Sequence, residues 1–466
     1  MSEPLGTQAN GGGPTHHGVV RYGAFPVVAL GATLMLEQGE RLSLAQALDG
    51  IRAEFDVGRG AVGALASAMV LVGVAGGIPF GVLADRWRRS TLLVIAMLVW
   101  TVCMGLGAIA PGFVLLFLGR LGVGAVEANG PAAVSLMSDY YPVTTRARMM
   151  GRYQMGGIAG GLLGVALSGV LVDTFGWRAA FWMWIPFGAF VALLLTRLPE
   201  PERGAQDRAF HDEAMTGVEV DGVPGLQPDL HLPPPRWTDL DYDKASWFEV
   251  FAELRHIRSM WFAVMSLTIS AFLSGALQVW GIDFFKTAFD LSATKAGAFV
   301  PVIGAGAAIG LMAGGEVADR LLRRGVANAR VYVTAVSSVL ATVFFLPGFL
   351  TSSLPLSATL LFLGSLCLTT PIAPSEALMA DVVPAPLRGR AAAIRSIVRA
   401  LAALAPWIVG LVADASDLPT ALAIVTPLYA IGGLVMLLAA RSYPRDLASA
   451  AAETARRGAP IASMVE

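Results

Sequence analysis

The chain has 466 residues, 55% of them hydrophobic and only 14% charged, with a formal net charge of −1. A soluble chain of this length carries about a quarter charged residues, so a wholly soluble fold is excluded, and the balanced charge gives no footing for a nucleic-acid partner. Cys103 and Cys367 lie inside apolar runs and argue against a disulfide framework, while His16, His17, His211, His231 and His256 all fall in the N-terminal tail or the central loop, so any proton chemistry inside a membrane rests on carboxylates.

Residues 1–20 are polar and Gly-rich without an apolar core, which reads as a disordered cytoplasmic tail and not a signal peptide. A membrane span needs about 20 mostly apolar residues. Twelve such stretches follow: 22–48, 60–84, 91–110, 112–140, 153–173 and 178–197, then 259–285, 295–318, 330–349, 355–380, 391–414 and 419–440. The pattern predicts an all-α membrane protein with a six-helix bundle over 21–197, a cytoplasmic linker over 198–258, a second six-helix bundle over 259–441 and a cytoplasmic tail over 442–466.

The first span contains Glu37, Glu40 and Arg41, and the fourth contains Arg120 and Glu127. Each charge costs roughly 2.5–3.5 kcal/mol at a helix centre unless it pairs or meets water. Glu37 and Arg41 stand at i,i+4 in the favourable order. Glu40 and Arg41 are neighbours and diverge by about 100° around the helix. Arg120 and Glu127, two turns apart on one face, are expected to pair with each other. A satisfied structural ion pair and a proton-coupling site are both open readings for these residues. A carboxylate beside an Arg has opposing pulls on its proton affinity, and water access shifts their balance.

The fifth span carries Gly156, Gly157, Gly160, Gly161 and Gly164, a small-residue stripe that predicts close helix packing. The linker is rich in Pro, Asp and Glu, and its end (Trp247, Phe248, Val250, Phe251, Leu254 and Ile257) has the spacing of an amphipathic helix for the membrane surface or a protein partner. In the seventh span Gln278 and Trp280 are candidates to line a cavity, the Trp also reading as an interface anchor, and Asp283 is a candidate outer gate. Glu376 lies near the cytoplasmic end of the tenth span, where a structural latch to the loop arginines is the favoured role.

Basic residues cluster in alternate loops: Arg86, Arg88 and Arg89; Arg146, Arg148 and Arg152; Arg320, Arg323, Arg324 and Arg330; Arg388 and Arg390. The opposite loops at 110–112, 174–177, 350–354 and 415–418 are nearly free of them. The positive-inside rule then puts these arginines and both termini in the cytoplasm.

The chain also repeats itself. Phe55-Asp56, Gly63-Ala64, Gly76 and Gly81-Val-Leu-Ala84-Asp85-Arg86 recur at a constant offset of 234 residues as Phe289-Asp290, Gly297-Ala298, Gly310 and Gly315-Glu-Val-Ala318-Asp319-Arg320. Asp139, Pro142, Arg146 and Arg148 recur at an offset of 242 as Asp381, Pro384, Arg388 and Arg390. Duplicated halves with the substrate site at their interface are a common transporter plan. Asp85 and Asp319, ending helices at the cytoplasmic surface, can accept from neighbouring helix N-termini or pair with Arg. With Arg86, Arg89, Asp139, Arg146, Arg320 and Arg388 they are candidate gate latches, the alternative being a topology signal alone.

The loop from Gly81 through Asp85 and Arg86 to Arg89, echoed from Gly315 to Arg323, resembles the signature of the major facilitator superfamily, although Arg88 stands where Gly is usual. Glu40-Arg41-x-x-Leu44 with Ile51-x-x-Glu54-Phe55, Arg120-x-x-x-Gly124-x-x-Glu127 and the aromatic Asp85-Arg86-Trp87-Arg88-Arg89 resemble the Spinster-like group, with Glu40 replacing the usual Asp. The resemblance implies Glu40 as a protonation site, Arg120 with Glu127 as headgroup and coupling pair, and a lysophospholipid or related amphipathic anion as substrate. It implies secondary transport by alternating access, with protons and membrane lipids as partners, and a monomer, while the short loops and the lack of a targeting segment suit a bacterial inner membrane.

Proton-coupled drug or metabolite efflux and carboxylate symport are the alternatives. The fifth span lacks the Gly-Pro-x-x-Gly-Gly element of drug–proton antiporters, and no Gly-x-x-x-x-Gly-Lys-Ser/Thr loop supports an ATP cofactor. No enzyme activity, cofactor or metal is expected. A non-transporting receptor or scaffold working through residues 198–258 is the reading from another class, and absence of flux with tight partner binding would favour it.

Overall fold

Prolines decide where the spans break. A computed structural model describes residues 22–127, 130–141, 143–201, 245–384 and 387–458. The tail expected over 1–20, most of the linker expected over 198–258 and the last residues of the chain lie outside them. The first half comprises Phe25–Phe55, Arg59–Arg86, Arg89–Ala108, Phe113–Glu127 with Gly130–Tyr140, Val143–Phe175, and Ala179–Trp182 with Trp184–Leu195. The second comprises Arg258–Phe289, Ala293–Gly297 with Phe299–Arg323, Ala329–Leu350, Leu354–Thr369 with Ile372–Val382, Arg388–Arg399 running through a 3-10 turn into Ala405–Ala415, and Leu418–Val425 with Pro427–Leu438. A proline has no N–H to give the carbonyl four residues back. Pro186, Pro301, Pro374, Pro406 and Pro427 each stand just beyond an interruption, in the sixth, eighth, tenth, eleventh and twelfth spans.

These helices form the twelve-span, two-bundle architecture that the sequence predicts. Among the described residues ten are long and apolar enough to cross a membrane by hydropathy alone, and Ala179–Leu195 is a shorter apolar helix. The first span drops out of that test because Glu37, Glu40 and Arg41 fall within little more than one turn. Among the described residues there is no β-strand. Cys103 and Cys367 are buried free thiols.

The glycine stripe of the fifth span acts as expected. A Cβ on Gly156, Gly160 or Gly164 would run into the backbone of Gly31, Met35 or Gly39, respectively, on the first span. Gln46 Nε2 donates to the Val165 carbonyl at 2.7 Å along the same seam. Gly306, Gly310 and Gly314 of the eighth span meet backbone atoms of Phe362, Leu366 and Thr370 on the tenth in the same way. Gly160→Val should therefore abolish recovery of monodisperse protein on size exclusion. Gly77→Ala, with open space beside it, should leave the elution profile unchanged.

The repeat is visible in backbone geometry. Asp56 (φ 50°) and Asp290 (φ 53°) are the only described non-glycine residues with positive φ. Each closes its helix in the left-handed conformation, its N–H donating to Arg52 O or Lys286 O. Asp tolerates that region better than most side chains.

The amphipathic helix is Trp247–Leu254, opened by a capping box between Ser246 and Glu249. Val250 and Leu254 are buried against the second bundle, while Trp247, Phe248 and Phe251 stay exposed. Past the twelfth span, Tyr443–Gly458 forms a further helix. Its Asp446 accepts from the Ser259 N–H at 2.9 Å and hydroxyl at 2.7 Å, tying it to the start of the seventh span.

Candidate functional site

The first and fourth spans bring all five central charges together: Glu37 and Arg41 pair as their spacing allows, while Arg120 and Glu127 each take a partner on the first span. Glu40 turns into the first bundle and pairs with Arg120, and both side chains are almost fully buried. Arg120 also meets the sulfurs of Met69 at 2.8 Å and Met104 at 3.9 Å, and its guanidinium lies 5.9 Å from the Phe181 ring centre. Arg41, about 100° further round the helix, pairs instead with Glu127 at 2.7 Å and Glu37 at 3.0 Å.

Helical side chains lean towards the helix N-terminus. Arg41 therefore reaches back one turn, to the level where Glu37 of its own helix and Glu127 of the fourth span both stand. The two clusters differ in access. The Arg41 and Glu37 side chains are 31% and 25% exposed, whereas Arg120 and Glu40 are 2% and 1% exposed. Glu40 Oε2 and Glu127 Oε1 are buried without a hydrogen-bond partner. An unmet buried acceptor costs about 1–3 kcal/mol, so each is a place where a proton or a ligand donor is favoured.

In the second half Gln278 is exposed. Trp280 does not line an open space: its indole is fully buried and donates to Pro406 O at 2.9 Å. Glu376 pairs with Arg395 of the eleventh span, not with a loop arginine. One turn further, Arg399 is exposed. Ile397 and Leu401, 64% and 62% exposed, lie two positions away on roughly the opposite side of that helix. Arg395 and Arg399, at i,i+4, therefore share the side of the helix away from the exposed Ile397 and Leu401. The spacing of Arg395 and Arg399 at i,i+4 was the available signal. It was hidden because they adjoin the loop arginines Arg388 and Arg390.

Two faces can be distinguished: the terminal face, where the described chain begins and ends, and the far face opposite. At the terminal face the repeated motifs build matching ties within each half. Arg89 pairs with Asp139 at 2.5 Å and Glu200 at 3.0 Å, and Arg330 pairs with Asp381, which also accepts from the Tyr443 hydroxyl at 2.8 Å. Burial pushes the Glu200 carboxyl up, but the Ser90 N–H and hydroxyl and the Arg89 guanidinium outweigh it and hold it below the usual carboxylate range. Arg320 pairs with Glu316 of its own helix at 2.5 Å, and Asp319 and Arg86 are exposed. The side chains of Asp85, Arg146 and Arg388 lie outside the described residues.

The hydrogen bonds and ion pairs found between the halves, among the described residues, all lie towards the far face. Asp414 of the eleventh span accepts from the N–H groups of Arg59 and Gly60, both at 2.7 Å, capping the second span from across the interface. Asp173 of the fifth span does the same for the eighth, accepting from Ala293 N at 3.1 Å and Thr294 N at 3.0 Å. A carboxylate at a helix N-terminus meets unpaired N–H groups and the positive end of the dipole. Between these caps, Asp49 pairs with Lys286 at 2.5 Å and Arg52 at 3.4 Å, and Asp283 pairs with Arg59 at 3.2 Å. Of these residues only Asp283 was singled out in the sequence. The missed signal is the repeat itself, since Asp49-x-x-Arg52 recurs as Asp283-x-x-Lys286.

Residues 29–362 match the Major Facilitator Superfamily. The chain belongs to that superfamily. It is 25% identical over 415 residues to the cis,cis-muconate transport protein of Acinetobacter baylyi, covering 87% of this chain and 91% of the relative. Protein spinster of Drosophila melanogaster is 23% identical over 265 residues, which is 56% of this chain and 38% of that one. Among solved structures, a bacterial homolog to the human lysosomal transporter Spinster, in an inward-facing and unoccupied conformation, superposes with a TM-score of 0.74. The identity is 20%, with coverage of 91% of this chain and 98% of the other. The superfamily expectation holds, the likeness to the Spinster homolog is one of fold, and the chain is a multi-pass membrane transporter.

Proposed function

We propose that this transporter is a proton-coupled carrier of an organic anion, working by alternating access, with Arg41 as the cation that receives the anion. The observation behind this reading is the Glu37–Arg41–Glu127 cluster, a partly exposed guanidinium held by two carboxylates. Substrate carboxylate or phosphate competes with Glu127 for Arg41. Protonation of Glu127 removes that competitor, so proton and anion favour one another on the protein. The sign of this coupling is that of symport. Arg399 supplies a second positive charge from the opposite half. With the Arg-rich terminal face towards the cytoplasm, the far-face contacts describe an inward-open state.

The Glu40–Arg120 pair, buried and facing into the first bundle, serves structure in this reading, and headgroup binding passes to Arg41. The organic anion is a lysophospholipid or a related amphipath, in line with the Spinster-like fold. The muconate relative favours a second reading, a small dicarboxylate.

Reconstituted liposomes separate these readings. Labelled lysophospholipid and labelled muconate are each followed with and without an imposed pH gradient. Saturable movement of one anion that responds to the gradient in the wild type, and is insensitive to the gradient in Glu127→Gln, is the expected result. Gradient-dependent flux that survives in Glu127→Gln overturns the coupling role. Failure of both anions, with folded protein, overturns the cargo assignment.

A further inference from the structure

Asp49 and Asp283 are repeat-related residues on the first and seventh spans, and they meet where the halves close the far face. Their carboxyl groups lie within hydrogen-bonding range of each other. Asp283 is buried, with 1% of its side chain exposed, and its Oδ1 receives no N–H or amine donor. The charged groups facing the pair are Arg52 and Lys286 beside Asp49, and Arg59 beside Asp283. Asp414 engages the backbone of Arg59 and Gly60 behind them.

None of the three cations joins the two carboxyl groups. Two ionised carboxylates offer each other only lone pairs, so direct contact between them requires a proton on one. Acid pairs that share a single proton are a known solution to this geometry.

We infer that Asp49 and Asp283 form a proton-binding site in which one proton, held between the two carboxyl groups, is part of the closed far gate. The proton is taken up from the far-side solution as the gate closes. It returns there when the seventh span moves away from the first and each carboxylate becomes hydrated. This site is separate from Glu127, and its proton reports the state of the gate irrespective of cargo.

The test uses full-length protein in lipid nanodiscs, with both native cysteines replaced by Ser. Spin labels are placed at the exposed, repeat-related positions Ala53→Cys and Thr287→Cys. Pulsed electron resonance then follows the far-gate distance as pH is varied. The expected result is a closed population in acid that gives way to a longer distance as pH rises. Asp283→Asn should lose this pH response, because its amide supplies a permanent N–H to Asp49, and Asp49→Asn should behave alike.

Glu127→Gln should keep the response, which separates this site from the proposed coupling carboxylate. Infrared spectra of the wild type should show the carbonyl band of a protonated carboxylic acid that is missing in either Asn variant. A wild-type distance that ignores pH overturns the inference. So does a response that survives in both Asn variants, or the same infrared band in all three proteins. Should Asp283→Asn fail to fold, Asp49→Asn and the infrared spectrum decide.

Discussion

Arg120→Ala should lower the thermal stability of the protein sharply, by about 3–5 kcal/mol, the usual cost of removing one partner from a buried ion pair. Glu40 is 1% exposed, and Arg120 is the one cation paired with it among the described residues. Its second oxygen already lacks a partner, so loss of the guanidinium leaves a buried carboxylate that must take up a proton or draw in water. The double variant Glu40→Gln with Arg120→Met removes both charges at similar volume and should recover most of the loss, as replacing a whole buried pair often does. Thermal melts in detergent measure the stability, and liposome flux measures the consequence. Proton-dependent transport by the double variant would confirm a structural pair. Folded protein that moves its anion without a proton dependence would return Glu40 to the coupling machinery.

Arg41→Ala should have the opposite profile, with a folded protein and lost transport. A hydrogen bond to a charged group contributes about 1.5–3 kcal/mol, so affinity for the transported anion should fall about 10- to 100-fold. Arg41→Lys should recover part of it, retaining the charge but not the forked geometry. Stability should fall less than in Arg120→Ala, because Glu37 and Arg41 are each about a quarter to a third exposed and Glu127, 7% exposed, can take up a proton when its cation is lost. Equilibrium binding of anionic and neutral substrate analogues provides the check. Equal losses for both would remove Arg41 from headgroup recognition, whereas a selective loss of the anion would establish it.

The sequence carried the two-bundle fold almost completely, because hydropathy and an internal repeat are properties of the chain alone. Gly160 and its neighbours could be read as a packing stripe, since only small residues let two backbones meet. The five central charges were legible as a set, and the Glu37–Arg41 pair from its spacing, yet the partners across the two spans were not. Arg120 and Glu127 share a helical face, and that suggested a pair. The partner choice depends on how the first and fourth spans are rotated, which no single helix specifies. Arg399 was lost for a different reason, its place in a run of arginines that begins in a loop. The far-face contacts were legible only at Asp283. Asp173 and Asp414 cap helices of the opposite half, and contacts between halves leave little trace in the local pattern of either one.

The proline interruptions distribute stiffness unevenly. In the second half, four of the six spans are broken, and at each break a carbonyl already lacks its helical donor. Bending there costs no further backbone hydrogen bond. The first and fifth spans, by contrast, are pressed backbone to backbone over three successive turns of glycine contact. The alternating-access cycle proposed above is therefore lopsided: a stiff first bundle is the anvil that holds the ionic cluster in register, and the jointed second bundle flexes against it.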